Sequence, residues 1–463
     1  MEDDKKKRKF LERLDRKNPH VIARIILDEE EPEFKEGNII LLSLVNQEML
    51  ETDIEFHEEM KKGNKDYYYI PYVYGFMVEV SGENKRTLEY LREFSNSYIS
   101  CKLVDTDSVS DNLKSTTVHW LDGFTFFSAS PFIYTRQTLL ISEINENPEL
   151  MNGLNSEAER FIEELRNIPL DGDTSRLGEY MPSSNAAGKI KVFNVGQASC
   201  SYLKSKTHRI MLDIGVDKTW LYKQAAKKDA PVVISQNYNH IHQCKPKAVI
   251  LSHWDTDHIL GVCLLDKEFP ELWVAPDIFE RGENIPLGTA RLFCYLHHTK
   301  RLLSVPKCYN NNVFFDDPTS SLSIYKGNAE KRNIRNNHGL IVLVGNKDEK
   351  IIFPGDCEYE AWPRSLDIAE NIYPVLIAPH HGAKMPLKDS VAALQLDKRK
   401  TAIFSYGENN QYGHPSGEHV LRLANRYGYD VLGTAEHRCI EIVFNLHADI
   451  KFQVIPHPRE VLR

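Results

Sequence analysis

The stretch Ser252-His253-Trp254-Asp255-Thr256-Asp257-His258 decides how the C-terminal part of the chain is interpreted. It follows the apolar run 248–251, which predicts a buried strand, and four of its residues within six positions are of metal-ligand type. Alternate side chains of an extended segment point to one side, so His253 and Asp255 form one pair and the following Asp-His a second. Two such pairs could hold two cations.

Other short apolar strands of this region also end in polar residues. A single histidine is more often structural than metal-binding, but clusters that recur after several strands favour a site at one loop edge of a sheet. The further strand ends are Asp213 after 210–212, Pro354-Gly355-Asp356 after 351–353, Pro379-His380-His381-Gly382 after 375–378, and Gly413-His414-Pro415 beyond 402–404.

The order of these pieces resembles the metallo-β-lactamase superfamily, whose hallmark is H-x-H-x-D-H after a strand. More narrowly, it resembles the hydrolase domain of ComEC-type competence proteins, over about residues 189 to 450. Val-Phe-Asn-Val-Gly-Gln at 192–197 and Leu-Asp-Ile-Gly at 212–215 belong to that narrower likeness. The resemblance implies an αββα sandwich, of class α/β, with a dinuclear metal site at the sheet edge.

The resemblance also implies roles for individual residues. Asp213 takes the place of a buried aspartate that orients ligands, and His414 lies over the site as a substrate contact or proton donor. The ligand Asp257 also belongs to the catalytic set. His253 and Asp255 bind one ion, Asp257 and His258 the other, Asp356 bridges them, either His380 or His381 completes the second ion, and His338 is a candidate further ligand of the first.

Asp255 stands where the superfamily has its second histidine. A carboxylate in place of an imidazole makes the site harder and moves its preference toward Mn²⁺ or Mg²⁺ relative to Zn²⁺. We expect two divalent ions, with Mn²⁺ or Zn²⁺ favoured and Mg²⁺ open. A carboxylate-rich dinuclear site suits phosphoryl oxygens, so the expected activity is hydrolysis of phosphodiesters in DNA, RNA or a nucleotide.

Two other functions compete with this interpretation. The first is hydrolysis of a small carbonyl substrate such as a lactone, thioester or amide, because one fold serves many chemistries. The second is a binding or regulatory protein in which the metal site is structural. An assay that compares phosphodiesters with lactones distinguishes the expected activity from the first alternative. The metal content together with the function of an Asp257→Ala variant distinguishes it from the second.

The chain of 463 residues is longer than one ordinary domain, which has roughly 100 to 200 residues. A run dense in turn-forming residues predicts a linker at 169–188. We therefore expect an additional N-terminal α+β domain at 1–168, of unknown role and with a possible protein partner, and a hydrolase domain at 189–463. Residues 155–166 of the former have the spacing of an amphipathic helix.

Composition narrows the setting of the protein. The net charge of −9 provides no global attraction for polyanions, and the eight cysteines form no C-x-x-C pair. No apolar run approaches the 18 or more residues of a membrane span. We expect a reducing cytoplasm, no membrane, and a nucleic acid or nucleotide as substrate.

A further helix is expected from about Leu287. It contains His297-His298 and the basic residues Arg291, Lys300 and Arg301 in or beside it. This group could meet phosphate, but a solvated helix face is the favoured interpretation.

Overall fold

The computed structural model describes two compact units. The first comprises Met1–Pro169, Leu221–Lys228 and Gly282–Lys300, and the second comprises Leu170–Trp220, Asp229–Arg281 and Arg301–Arg463. Within these units the residues described are 20–26, 39–45, 47–64, 76–79, 98–105, 117–119, 138–145, 148–170, 172–183, 187–217, 241, 243–265, 269–281, 285, 287–328, 330, 335–345, 349–387, 400–408, 410, 412–445 and 451–458.

Helices occur in both units. Among the residues described, no helix is at once long and apolar enough to cross a membrane. The helices are α1 (Gln47–Lys61), α2 (Pro148–Arg166), α3 (Thr256–Ile259), α4 (Leu287–His298) and α5 (Gly417–Asn425).

The first unit combines a barrel with helices α1, α2 and α4, which pack on one another. Helix α2 buries Ala158, Phe161 and Leu165, which recur at helical spacing and form its apolar face. The barrel closes in the order β1-β2-β3-β5-β6-β4. Its strands are β1 (His20–Ile26), β2 (Ile39–Val45), β3 (Phe76–Glu79), β4 (Tyr98–Asp105), β5 (Thr117–His119) and β6 (Thr138–Asn145).

Helix α4 belongs to the first unit, although it lies within the range 189–463 expected for the hydrolase domain. Its Arg291 is 1% exposed and its Nε lies 2.8 Å from Oδ1 of Asp53, which is fully buried. The interpretation of this helix as a solvated basic face is therefore wrong for Arg291. A buried guanidinium needs such a partner, because an unpaired charge away from water costs several kcal/mol.

The second unit contains two sheets. In the described residues their orders are β12-β11-β10-β9-β8-β7-β20-β21 and β13-β14-β15-β16-β17-β18-β19. The first sheet has β7 (Ala187–Phe193), β8 (Cys200–Ser205), β9 (Arg209–Ile214), β10 (Ala248–Ile250), β11 (Leu272–Pro276), β12 (Leu302–Val305), β20 (His437–Asn445) and β21 (Lys451–Pro458). The second has β13 (Asn312–Asp316), β14 (Leu322–Lys326), β15 (Leu340–Gly345), β16 (Lys350–Phe353), β17 (Val375–Ile377), β18 (Lys400–Phe404) and β19 (Tyr429–Gly433).

The two sheets share a hydrophobic core. Ile210 and Val274 of the first sheet and Ile324 and Ile403 of the second belong to one buried cluster, so the sheets pack face to face. The other side of the second sheet carries a separate cluster that includes Leu423 of α5. Sheets layered with a helix on the outer side form the expected α/β sandwich.

The segment 169–188 is more than a linker. Residues Thr174–Glu179 form a 3-10 helix, and Leu177 and Met181 are buried in the core between the sheets. Leu177 lies within the 3-10 helix and Met181 just beyond its end, and both side chains belong to this buried cluster. The segment is part of the second unit, beginning at Leu170.

Candidate metal centre

The predicted site residues follow parallel strands. In the first sheet β9 is parallel to β10, and in the second β16, β17 and β18 run parallel. The carboxyl ends of neighbouring parallel strands meet at one edge, where ligand sites of α/β sheets lie. Asp213, the 252–258 segment, Asp356, His380-His381 and Ser405 lie at these ends.

A buried network holds His258 in place. Asp213, 5% exposed, accepts hydrogen bonds from the backbone N–H of Ser252 at 2.6 Å and from its hydroxyl at 2.8 Å. Its Oδ2 also lies 2.8 Å from Nδ1 of His258. With Nδ1 donating to Asp213, the Nε2 lone pair of His258 points away from this network. This is the orienting geometry expected of Asp213.

One group of ligand atoms is formed by Asp257, His258, Asp356 and His381, which all lie within 4.8 Å of one another. His258 Nε2 is 3.1 Å from Oδ1 of Asp356, and His381 Nε2 is 3.4 Å from Oδ2 of Asp257. His381 Nδ1 donates to the carbonyl of Ser405 at 2.8 Å, which leaves Nε2 for this group.

A second group meets the other oxygen of Asp356. His253 Nε2 lies 3.8 Å and His380 Nε2 3.7 Å from Oδ2 of that carboxylate, and His253 Nε2 lies 3.5 Å from Oδ2 of Asp255. Asp356 thus presents Oδ1 to one set of side chains and Oδ2 to the other. This is the geometry that a bridging carboxylate requires.

The cluster concentrates opposite charges away from water. Burial raises the pKa of Asp356, but His258, His380 and His381 outweigh burial and hold that pKa well below its usual range. Burial lowers the pKa of His258, but Asp356, Asp213 and Asp257 raise it well above the ordinary value. The buried carboxylates therefore favour positive charge beside them, and in the absence of a metal this charge comes from protons bound by His258 and His381.

The donor set fits a divalent cation. His253 Nε2, His258 Nε2 and His381 Nε2 are buried and make no hydrogen bond within the described residues. Buried polar atoms are normally paired, so three convergent nitrogens without a hydrogen bond beside ionised carboxylates indicate that a cation belongs among them.

Backbone conformation brings these groups together. His380 and His381 have φ values of +49° and +53°, in the left-handed region that non-glycine residues rarely adopt. Such strain is typical of functional sites, where packing holds the chain in an unfavourable conformation. Gly215 is required for close approach, because a Cβ there would lie 1.6 Å from the backbone oxygen of Asp257.

The other two predicted site residues, His414 and His338, are not among the side chains grouped around Asp356 above. His414 is half-buried, with its ring 6.0 Å from that of His380, and burial together with His381 and His380 lowers its pKa to about 3. His338 Nδ1 lies 3.8 Å from Oε2 of Glu280, and His338 is outside the group that contains Asp356. Its role as a metal ligand remains a prediction.

Sequence reasoning missed Ser252 and Ser405 as parts of the site. Ser252 links Asp213 to the histidines, since its hydroxyl lies 3.1 Å from His253 Nδ1 and 3.2 Å from His258 Nδ1. Its position directly before His253 was an available signal. Ser405 acts through a backbone carbonyl, which leaves no signature in residue type.

Comparison with known proteins agrees with this fold. Residues 193–406 match the family model of the metallo-beta-lactamase superfamily. The part of the chain that carries the candidate metal centre is therefore similar to the metallo-β-lactamase superfamily, as the order of its motifs predicts.

A curated relative is ComE operon protein 3 of Bacillus subtilis (strain 168), which is 24% identical over 273 residues. The match covers 56% of this chain and 33% of that protein, so the chain spans about a third of its relative's length. The narrower likeness expected from the sequence is thus confirmed.

Solved structures with related folds are more distant. The metallo-β-lactamase fold protein YhfI of Bacillus subtilis is 13% identical, with 53% of this chain and 86% of that chain covered and a TM-score of 0.29. Human tRNase Z, short form, is 15% identical, with 58% and 99% covered and a TM-score of 0.29. At these scores the likenesses say nothing about activity.

Proposed function

We propose that the second unit is a metal-dependent phosphodiesterase that cleaves DNA, RNA or a nucleotide. The observation that carries this proposal is the two-sided arrangement of Asp356 between two groups of histidines and aspartates. Three carboxylates at one site favour hard cations and substrates with charged phosphoryl oxygens over neutral carbonyl groups.

Each of the two groups around Asp356 would supply the ligands of one ion. Asp356 would contribute to both positions through its two oxygens. Its Oδ1 faces the group that would hold one ion, formed by Asp257, His258 and His381, and its Oδ2 faces the group that would hold the other, formed by His253, Asp255 and His380. We assign Mn²⁺ or Zn²⁺ to these positions, with Mg²⁺ as the third choice.

Bound divalent ions would make a water molecule acidic enough to ionise near neutral pH and would neutralise charge on the attacked phosphate. The chain's own residues would orient the ligands and assist the leaving group. Asp213 holds the His258 ring by its Nδ1, and Ser405 does the same for His381. In both rings Nδ1 is thereby occupied, and Nε2 faces the cluster.

His414 is the residue best suited to assist the leaving group. Its ring lies beside that of His380 but has no part in the carboxylate contacts described above. With a pKa lowered to about 3 it is neutral at pH 7, so its ring N–H would assist the leaving oxygen by a hydrogen bond, and the proton itself would come from solvent.

Activity assays on the full chain test this proposal. After removal of metal with a chelator and reloading with Mn²⁺ or Zn²⁺, we expect cleavage of bis-p-nitrophenyl phosphate and of single-stranded DNA. Asp257→Ala should abolish cleavage, whereas Asp316→Ala, which removes an exposed carboxylate at the end of β13, should leave it unchanged.

Two results would contradict the proposal. Hydrolysis of nitrocefin or a lactone, with both phosphodiesters left intact, would assign the site to a carbonyl substrate. Less than about one metal per chain, with unchanged biological function in Asp257→Ala, would assign it to a structural or regulatory role. We also propose a protein partner for the first unit and a cytoplasmic location. Affinity capture tests the partner, and cell fractionation tests the location.

A further inference from the structure

A separate cluster of ligand-type side chains lies in the first unit. His57 of α1 and Cys294 and His298 of α4 place one nitrogen or sulfur atom each within 4.8 Å of one another. His57 is 1% exposed and Cys294 fully buried, while His298 is half-buried. Cys294 and His298 are four residues apart on α4, so they lie on the same face of that helix.

The distances in this cluster are within about half an ångström of those between the ligands of a zinc ion. His57 Nδ1 lies 2.8 Å from His298 Nε2 and 3.9 Å from Cys294 Sγ. Zinc binds nitrogen at about 2.1 Å and sulfur at about 2.3 Å in tetrahedral geometry, which places neighbouring ligand atoms about 3.3 to 3.6 Å apart. A shift of about half an ångström in each distance would therefore accommodate the ion.

The carboxylate of Glu164 lies near the second ring nitrogen of His57. Oε2 of Glu164, in α2, lies 3.6 Å from Nε2 of His57, a buried atom that makes no hydrogen bond within the described residues. Metal-binding histidines commonly donate their second ring N–H to such a carboxylate, which fixes the ring and makes the other nitrogen a better ligand. A shift of about half an ångström would bring Glu164 within hydrogen-bond distance of His57 Nε2 and leave Nδ1 for a metal.

We propose that His57, Cys294 and His298 bind one zinc ion that attaches helix α4 to helix α1 within the first unit. One thiol and two imidazoles are the donor types that favour zinc over harder cations. The contacts join residues 241 and 237 positions apart in the chain, so the ion would connect distant segments. Water would complete the fourth position.

The state of these groups agrees with this assignment. Burial lowers the pKa of His57 to about 4, and burial together with His57 lowers that of His298 to about 3, so both rings are neutral at pH 7 and keep a lone pair. Cys294 is a thiol whose pKa burial raises. Zinc binding would convert it to a thiolate and release its proton to solvent.

The alternative is a neutral histidine pair joined by a hydrogen bond, with a free thiol beside it. The 2.8 Å separation of the two nitrogens is compatible with such a bond. It leaves Cys294 without a role, and it predicts no metal in the first unit. Metal analysis decides between the two.

The first measurement uses cobalt as a probe in the full-length protein. Co²⁺ bound by a thiolate has a sulfur-to-metal charge-transfer band in the near ultraviolet, and no cysteine is among the ligands proposed for the second unit. We expect this band in the Co²⁺-loaded wild type, its loss in Cys294→Ser, and its retention in Asp257→Ala. Its absence from the saturated wild type would overturn the proposal without the use of any variant.

The second measurement is zinc content by elemental analysis. Cys294→Ser and His298→Gln should each lose one zinc per chain, whereas the matched controls Cys308→Ser, an exposed thiol, and His297→Gln, the adjacent histidine, should lose none. Full zinc content in folded Cys294→Ser and His298→Gln would overturn the proposal. Phosphodiesterase activity is not part of either readout, so failure here is distinct from failure of the proposed function.

Discussion

The two units hold clusters of opposite chemical character. The cluster of the second unit surrounds Asp356 with histidines and two further aspartates, and these carboxylates raise the pKa of His258 and of His381. In the cluster of the first unit the candidate ligands are a thiol and two imidazoles, and burial keeps the latter neutral. Donor type and local charge, more than the number of histidines, determine which cation a site prefers.

The largest expected effect comes from Asp356→Asn. The change removes one negative charge and one oxygen ligand from between both proposed ions, so kcat/KM on bis-p-nitrophenyl phosphate should fall about a thousandfold or more, at the upper end for a charge-stabilising group. The cobalt-thiolate band of the first unit should be unchanged. A variant that retains activity within tenfold would exclude a bridging role for Asp356.

The next effect concerns the stability of the first unit. Asp53→Ala leaves the guanidinium of Arg291 buried without its 2.8 Å partner, so we expect a loss of about 3 to 5 kcal/mol. Amide hydrogen exchange in residues 287–298 should accelerate accordingly.

The second unit offers a matched control for this change. Lys326 and Glu280 form a buried pair at 2.8 Å, and Glu280→Ala should accelerate exchange in 322–326 instead. If both variants destabilise both segments equally, the two units do not unfold separately.

A smaller effect is expected for Asp213→Asn. Loss of the carboxylate that orients His258 should weaken metal binding by the second unit about ten- to a hundredfold, as for other residues that support ligands. Metal titration monitored by activity measures this, with Asp316→Asn as the control. Unchanged affinity would show that Ser252 alone fixes the ring.

The smallest effect is a difference in pH dependence between the metal-free units. In the first unit, burial lowers the pKa of His57 to about 4, whereas in the unfolded chain it is about 6.5. The unfolded chain therefore binds this proton first, and the stability of the first unit decreases as the pH falls below about 6.5. In the second unit the raised pKa of His258 gives stability that is complete below about 6.5 and is lost at higher pH.

Hydrogen exchange of chelator-treated protein, corrected for its intrinsic pH dependence, measures both trends. Protection of 287–298 should decline between pH 7 and 5, while protection of 253–258 should hold or increase. Parallel trends in the two segments would contradict the assigned charge states.

Much of the second unit was accessible from the sequence because its information is local. Apolar strands end in ligand-type residues within a few positions, and parallel strands bring those ends to one edge. The pairing of His253 with Asp255 follows from alternation along an extended segment. The sequence did not indicate that His380 faces Oδ2 of Asp356 and His381 faces Oδ1. This arrangement depends on left-handed φ values that residue identity does not indicate.

The cluster of the first unit was not accessible in this way. His57 and His298 meet across 241 residues, and nothing in the spacing of either helix indicates that contact. The basic residues around α4 suggested a solvated face, but burial of Arg291 depends on a partner in a different segment. The turn-forming residues of 169–188 similarly concealed Leu177 and Met181, whose role depends on packing against the sheets.

The position of helix α4 in the chain has a consequence for synthesis on the ribosome. The first unit includes Gly282–Lys300, so its last helix is made only after the strands from β7 to β11 of the second unit. A nascent chain released or cleaved near residue 169 would lack Arg291 opposite Asp53 and the two α4 residues opposite His57. The helix packing of the first unit can therefore be completed only after several strands of the second unit have been translated, unlike the usual N-terminal-first order of domains.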